Sequence, residues 1–108
     1  MISNPTKRAL DLVWQAQEEL WKPAPDYDRA VDLGRRAIQD LTLPRHRSNA
    51  YLVLAKAHEG LCNWRLAFTC WSLCRELYPE GWTAEMKARI ELMGEACKEY
   101  DDTNQNFY

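Results

Sequence analysis

The strongest constraint on the fold is an internal repeat of apolar and small residues at helical spacing. Two stretches place such residues at successive intervals of three and four, and residues three or four apart share one face of an α-helix. The matched residues are Tyr27, Ala30, Gly34, Ala37 and Leu41 in the first stretch and Trp64, Ala67, Trp71, Cys74 and Tyr78 in the second. The segments before them also align, with Val13, Ala16 and Leu20 matching Tyr51, Leu54 and His58. The chain is therefore predicted to contain a pair of helices that occurs twice.

Turn and capping residues divide the sequence into five predicted helices. Proline-containing loops at 22–25, 42–44 and 79–81 interrupt the helical pattern, and Asn4, Asn63 and Thr83 are candidate N-caps. The predicted helices run over residues 5–21, 26–41, 48–61, 63–77 and 83–100. We expect residues 1–100 to form one all-α domain and residues 101–108 to form a flexible polar tail.

Charge and composition argue against several classes of function. The formal net charge is -2 over 108 residues, so no overall field attracts the chain to nucleic acid or to an anionic membrane. No apolar run approaches the roughly 20 residues of a membrane span, and the N-terminus lacks a signal-peptide pattern. The 4 cysteines fall in or beside helical patterns, which predicts reduced thiols and a cytoplasmic location.

The repeat also predicts how the helices assemble. Each helix pair has an apolar face that it cannot bury alone, so the two pairs are expected to stack. Ala30 and Ala67 would allow the helices of each pair to approach closely. The fifth helix carries its own apolar stripe, which would cover the open end of the stack and consists of Met86, Ile90, Met93 and Cys97.

The second helix pair resembles the tetratricopeptide repeat (TPR) family. Over residues 48–81, nearly every signature place of one such unit holds a residue of the expected class. These places are Tyr51, Leu54, Ala55, Trp64, Ala67, Trp71, Cys74 and Pro79, with His58 where an aromatic residue or leucine is usual. The first pair matches less well, since Gly34 stands where a large residue is expected. The resemblance covers roughly residues 10–100 and implies a five-helix, antiparallel, right-handed superhelical array of two repeats and a capping helix.

That resemblance also implies a function and a site. TPR proteins are non-catalytic adaptors or chaperone-like modules, whose concave groove holds a peptide or helix from another protein. Carried over to this sequence, the groove residues are Trp14, Glu18, Asn49, Leu52, Val53, Lys56, Met86, Lys87 and Ile90. Leu52 and Val53 would make the floor of the groove apolar, which suits aliphatic side chains of a partner. No cofactor or metal is implied.

Several other features of the sequence have both a functional and a simpler structural explanation. Cys70 and Cys74 could share one face of a metal site, but a closed zinc site needs four ligands and no recognised spacing supplies them. His58 lies on a core-facing stripe, which favours a packed histidine over a catalytic one. An arginine patch for an acidic partner or an anion is an alternative to a solvated helix end, and it consists of Arg35, Arg36, Arg45 and Arg47.

The tryptophans suggest an alternative function. The chain has 5 tryptophans, of which Trp14, Trp21 and Trp82 fall off the main apolar stripes. Exposed tryptophan commonly anchors protein interfaces. The chain is therefore also a candidate structural subunit, either of a homodimer or of a larger assembly that buries these side chains.

Overall fold

The structure, a computed structural model, describes residues 4–104, with side chains described for residues 4–99. Its helices are α1 (Pro5–Trp21), α2 (Tyr27–Asp40), α3 (Pro44–Gly60), α4 (Trp64–Leu77) and α5 (Ala84–Asn104), with a short 3-10 helix at Pro79–Gly81 between α4 and α5. No strand occurs among the described residues. The predicted all-helical class is confirmed.

Side chains before the helices account for several of the helix starts. The Asn4 carboxamide oxygen accepts the Thr6 N–H at 2.8 Å, and the Asp26 carboxylate accepts the Arg29 N–H at 3.0 Å. The Thr83 hydroxyl accepts the Met86 N–H at 3.2 Å. Each bond satisfies an N–H that has no partner inside the helix. Asn63 precedes α4 but makes no such bond, so the side-chain cap predicted there was wrong.

The third helix begins at Pro44, earlier than the predicted start at residue 48. Proline suits the first helical position because its fixed φ is helical and its missing N–H needs no partner there. The corner before it is closed by Arg47, whose guanidinium donates to the carbonyls of Ile38 at 3.1 Å and Leu41 at 2.9 Å. These bonds satisfy carbonyls at the end of α2, so residues 41–43 suffice to connect the two helices.

The fifth helix also differs from its predicted extent. It continues to Asn104, past the boundary at residue 100 between the predicted domain and its tail. No proline or glycine occurs between residues 95 and 104 to end the helix. The rest of the predicted tail, residues 105–108, lies outside the described residues.

Each helix packs against the next one along the chain, and α1 also packs against α3. Helix α3 therefore occupies the centre, with α1, α2 and α4 around it. This position explains why seven of its residues are buried, namely Ser48, Ala50, Val53, Leu54, Ala55, Ala57 and His58.

The core changes in character along the molecule. Around α1 and α2 it contains mostly small residues, including Ala9, Ala16, Ala30, Ala37, Ala50 and Ala57, together with Leu33, Leu41 and Val53. Between α3, α4 and α5 it is built around Trp71, together with Leu54, Ala55, Ala67, Cys70, Ile90 and Met93. The first three helices are thus packed through alanines, and the last two are held by one large indole.

Candidate functional site

A shallow groove runs along the surface between α1 and α3 and has a volume of about 490 Å³. One wall comes from α1 and comprises Leu10, Val13, Trp14, Gln17 and Trp21. The other comes from α3 and comprises Asn49, Leu52, Val53 and Lys56. We call this surface the α1/α3 groove. Lys56 is its single charged residue, so most of the surface that it presents is apolar.

Two exposed tryptophans form the rim of the groove. Trp14 is 57% exposed and Trp21 is 63% exposed, and their ring centroids lie 5.5 Å apart in an edge-to-face arrangement of 85°. They lie seven residues apart on α1, which places them on the same side of the helix after about two turns. A monomer thus leaves a large aromatic area in contact with water, and tryptophan is strongly enriched at sites that dominate binding energy.

The floor of the groove is rigid because it belongs to the core. Val53 is 2% exposed and packs with Ala16, Ala30 and Ala57. Leu52, its neighbour on α3, is half-buried and packs against the cluster around Trp71. A ligand in the groove would therefore contact side chains that are already fixed before binding.

A second cleft adjoins the groove near the C-terminal ends of α1 and α3. Its lining combines residues of α1 and α3 with Tyr27 of α2 and with two residues of α5, Glu85 and Arg89. Gln17, Trp21 and Lys56 line both cavities. The two cavities therefore adjoin, and Lys56 lies between the apolar groove and the more polar cleft.

Glu59 is held firmly in this cleft. The indole N–H of Trp71 donates to its carboxylate at 2.7 Å, and the Arg89 guanidinium lies 3.7 Å from the other carboxylate oxygen. Both partners offset its negative charge. This contact connects α3 to α4 and α5 beside the candidate site.

Five of the nine predicted groove residues lie together in the α1/α3 groove: Trp14, Asn49, Leu52, Val53 and Lys56. Glu18 is exposed on α1 but does not line the groove. Met86, Lys87 and Ile90 are not brought to it either, because α5 packs against α4 and not alongside α3. Ile90 is buried in the core around Trp71, Met86 packs against that core, and Lys87 is exposed.

Four lining residues of α1 were not among the predicted groove residues: Leu10, Val13, Gln17 and Trp21. With Trp14 they follow spacings of three, one, three and four, so they cover one face of the helix. Four of these five residues are apolar, but Trp14 and Trp21 fall off the main apolar stripes, so the sequence did not predict this face as a whole. Nothing in the sequence distinguished a stripe that borders an open groove from one that is buried.

The four predicted patch arginines have different surroundings. Arg47 is half-buried, donates to carbonyls of the α2 corner and lies 5.9 Å from the Tyr51 ring centroid. Arg36 pairs with Asp32 at 3.7 Å. Arg35 and Arg45 are exposed. Arg47 thus stabilises the corner between α2 and α3, so fewer arginines are exposed for an anion than the sequence predicted.

The buried thiols and the buried imidazole have shifted protonation equilibria. Burial, assisted by the neighbouring Cys74, raises the pKa of Cys70 to about 11. Burial also raises the pKa of Cys74, whose Sγ lies 3.2 Å from the Ser48 hydroxyl. Burial, assisted by the charge of Arg35, lowers the pKa of His58. These thiols stay protonated at neutral pH, which makes them packing groups and poor nucleophiles.

Among residues 4–99, no three histidine, cysteine or acidic side chains are grouped as a metal site would require. In the described region, no helix combines the length and apolar character needed to cross a membrane.

Comparisons with models of known protein families, with curated proteins and with solved structures found no match to this chain.

Proposed function

We propose that this chain is a protein–protein interaction module that binds a segment of another protein in the α1/α3 groove. The observation that carries the proposal is the Trp14–Trp21 pair, two indoles that are more than half exposed at the edge of an apolar groove. Monomeric proteins seldom expose contiguous apolar surface without a binding role. The fixed floor of Val53 and the central position of α3 support it, since a preformed groove reduces the entropy lost on binding.

We also propose that the chain is a TPR-like protein. The packing of α1 on both α2 and α3, the repeated residue spacings and the match over residues 48–81 support a TPR-like array with an adaptor or chaperone-like role. In such an array the first helices of successive pairs line one concave surface, and here α1 and α3 form the groove. The cytoplasm is the compartment that we propose for this role.

The test removes the indole and leaves the fold unchanged. Trp14→Ala is the test variant, because Trp14 is largely exposed and contributes little to the core. Leu66→Ala is the matched control, since Leu66 is 51% exposed but lies on α4, away from the groove. Proteins that the wild-type chain captures from a cell lysate are identified by mass spectrometry. The capture is then repeated with each variant, and the amounts of each partner are compared. Circular dichroism verifies that each variant is folded.

We expect the partner to be lost from Trp14→Ala and retained by Leu66→Ala. A hot-spot tryptophan typically contributes 2 kcal/mol or more, roughly a thirtyfold change in affinity. Equal capture by both variants would show that the groove is not the binding surface. Val53 is unsuitable as a test position, because a charge there would be buried and would unfold the chain.

A second candidate is a structural subunit whose Trp14–Trp21 pair is buried against another copy of the chain. The exposure of both indoles favours it equally. Sedimentation equilibrium distinguishes the two functions: a dimer that dissociates in Trp14→Ala supports the subunit, and a monomer at all concentrations supports the adaptor.

A further inference from the structure

The α1/α3 groove carries one positive charge without a negative partner, and this charge indicates the chemistry of its occupant. Lys56 is exposed and lines both the apolar groove and the adjoining cleft. Across residues 4–99, no acidic side chain is placed to form an ion pair with its ammonium group. The groove therefore presents one uncompensated positive charge at the end of an apolar surface.

Two acidic residues of α1 and α3 near this region already have partners. Glu19 accepts from Lys22 at 3.0 Å and lies 3.3 Å from Arg29. Glu59 is bound by Trp71 and Arg89. Glu85 of α5 lines the same cleft as Lys56 but forms no ion pair with it in the described structure. None of these carboxylates neutralises Lys56 within the described structure, so its charge remains available to a ligand.

We propose that the occupant is a short amphipathic segment of a partner protein in which bulky apolar side chains are flanked on one side by an aspartate or glutamate. The apolar side chains would enter the groove between Trp14 and Leu52, and the carboxylate would pair with Lys56. The inference rests on the proposed function and adds to it the sign and position of the charge that the partner must carry.

The two parts of the site have different roles in this recognition. Burial of apolar side chains against Trp14 and Leu52 supplies most of the affinity, at about 25 cal/mol per Å² removed from water. Lys56 adds orientation and discrimination, since a cation at the same place in a ligand would be repelled. A volume of about 490 Å³ lies within the roughly 300–1,000 Å³ of typical binding clefts. It accommodates a few side chains and not a folded domain.

The experiment selects peptides from a displayed library of random 12-residue segments flanked on both sides, so that no free terminal carboxylate is present. The full chain is the target, in parallel with Lys56→Glu, Lys87→Glu and Trp14→Ala. Lys87 is the matched control, because it is also exposed but lies outside the groove. The strongest peptide from the wild-type selection is then synthesised with an amidated C-terminus and titrated at low and high salt.

The expected result is enrichment of segments with two or more large apolar residues flanked on one side by an acidic one. Lys56→Glu should weaken the wild-type peptide by roughly tenfold at low salt and less at high salt, and should select basic residues in place of the acidic one. Lys87→Glu should change the affinity less than twofold. Trp14→Ala should abolish the enrichment.

The outcomes that overturn the inference differ from those that overturn the function. Apolar peptides without an acidic residue, bound equally by wild type and Lys56→Glu, would overturn the inference and leave the groove as the binding surface. No enrichment, or enrichment that survives Trp14→Ala, would overturn both. A concentration-dependent dimer that competes with peptide would assign the groove to a second copy of the chain, and would also overturn the inference.

Discussion

The two helix pairs share the spacing of their apolar residues but pack in different ways. At the matched position α2 carries Gly34 and α4 carries Trp71. A Cβ atom at residue 34 would lie 2.8 Å from Cδ2 and 2.9 Å from Cγ of Leu54, so Leu54 of α3 occupies the place of the missing side chain. Trp71 instead fills its own space and donates its N–H to Glu59. The repeat thus keeps matched positions facing a neighbouring helix in both pairs. The space that this helix leaves determines the size of the residue at each position.

The loops of the two pairs differ as well. The loop at 22–26 contains two prolines and is held by buried Glu19, which binds Lys22 and Arg29. The loop at 61–63 is a tight turn in which the Asn63 N–H donates to the His58 carbonyl and the Cys62 N–H donates to the Glu59 carbonyl. This pattern is a Schellman motif. The first loop is fixed by charged side chains and the second by backbone hydrogen bonds.

The largest effect on stability is expected from removal of the Trp71 indole, which dominates the core of the second pair. Trp71→Ala should lower the free energy of unfolding by about 3–5 kcal/mol, because it leaves a large cavity and deprives Glu59 of a donor. Urea unfolding followed by circular dichroism measures the loss. A loss below about 1 kcal/mol would contradict the central role assigned to Trp71.

Trp71→Phe serves as the matched variant for the hydrogen bond. It retains a six-membered ring and removes the five-membered ring with its N–H group, so it breaks the bond to Glu59 with a smaller loss of volume than Trp71→Ala. The expected loss is about 1–3 kcal/mol, intermediate between the wild type and Trp71→Ala. A loss as large as that of alanine would mean that the bond to Glu59 outweighs the packing.

The next test adds a side chain where the first pair has none. Gly34→Ala places its Cβ against Leu54 Cγ, and overpacking of this kind costs about 1–3 kcal/mol. Alanine also gains about 1 kcal/mol of helix propensity over glycine. We therefore expect a net loss of about 1 kcal/mol in the free energy of unfolding.

Gly94 in α5 supplies the control for this substitution. Its Cβ would lie 3.4 Å from the nearest atom of Phe68, close to ordinary van der Waals contact. Gly94→Ala should therefore retain most of the gain in helix propensity and raise stability. If Gly34→Ala also raised stability, the close approach of α2 to Leu54 would not be a constraint.

Comparison of the sequence with the structure shows which properties are local. The apolar spacings predicted five helices, and capping residues such as Asn4 and Thr83 predicted helix starts, because both depend on residues a few positions apart. The start of α3 was missed because Pro44 both interrupts a helical pattern and suits the first helical position. The local sequence alone could not decide between these two roles.

The sequence predicted only part of the candidate site, and the reason here is different. The lining of the α1/α3 groove depends on which helices become neighbours. Residues of α5 such as Ile90 would line it only if α5 lay beside α3. Packing of α5 against α4 instead buries Ile90. Likewise, nothing local indicated that Arg47 would be used to close the corner after α2.

A smaller effect is expected from the loop of the second pair. Cys62 adopts a φ of 59°, in the left-handed region that costs a side-chain-bearing residue about 1–2 kcal/mol and costs glycine almost nothing. Cys62→Gly should raise the free energy of unfolding by about 0.5–1 kcal/mol, after allowance for the greater entropy of unfolded glycine. Thermal unfolding by circular dichroism provides the measurement.

Cys62→Ala separates the backbone effect from loss of the thiol. Alanine pays the same left-handed cost as cysteine, so its stability should remain close to that of the wild type. If both variants were equally stabilised, the benefit would come from removal of the thiol, and the strain assigned to the turn would be absent.

The smallest effect is confined to acidic pH and concerns the position where the first pair carries Leu20 and the second carries His58. Burial and the charge of Arg35 lower the pKa of His58 below its ordinary 6.5, so the unfolded chain binds a proton there more readily than the folded one. Above about pH 6.5 both states are neutral at this residue. As the pH falls through 6.5 toward the lower folded-state pKa, the unfolded state gains the proton first and stability declines.

His58→Leu should remove this part of the acid sensitivity and make the second pair behave like the first. The measurement is the difference in free energy of unfolding between pH 7.5 and pH 5.5, for the wild type, His58→Leu and the control His46→Gln. A smaller difference in His58→Leu, with His46→Gln unchanged, would attribute the sensitivity to the buried imidazole. An unaltered difference in His58→Leu would show that His58 takes up a proton equally easily in both states, and would contradict the effect assigned to its burial and to the charge of Arg35.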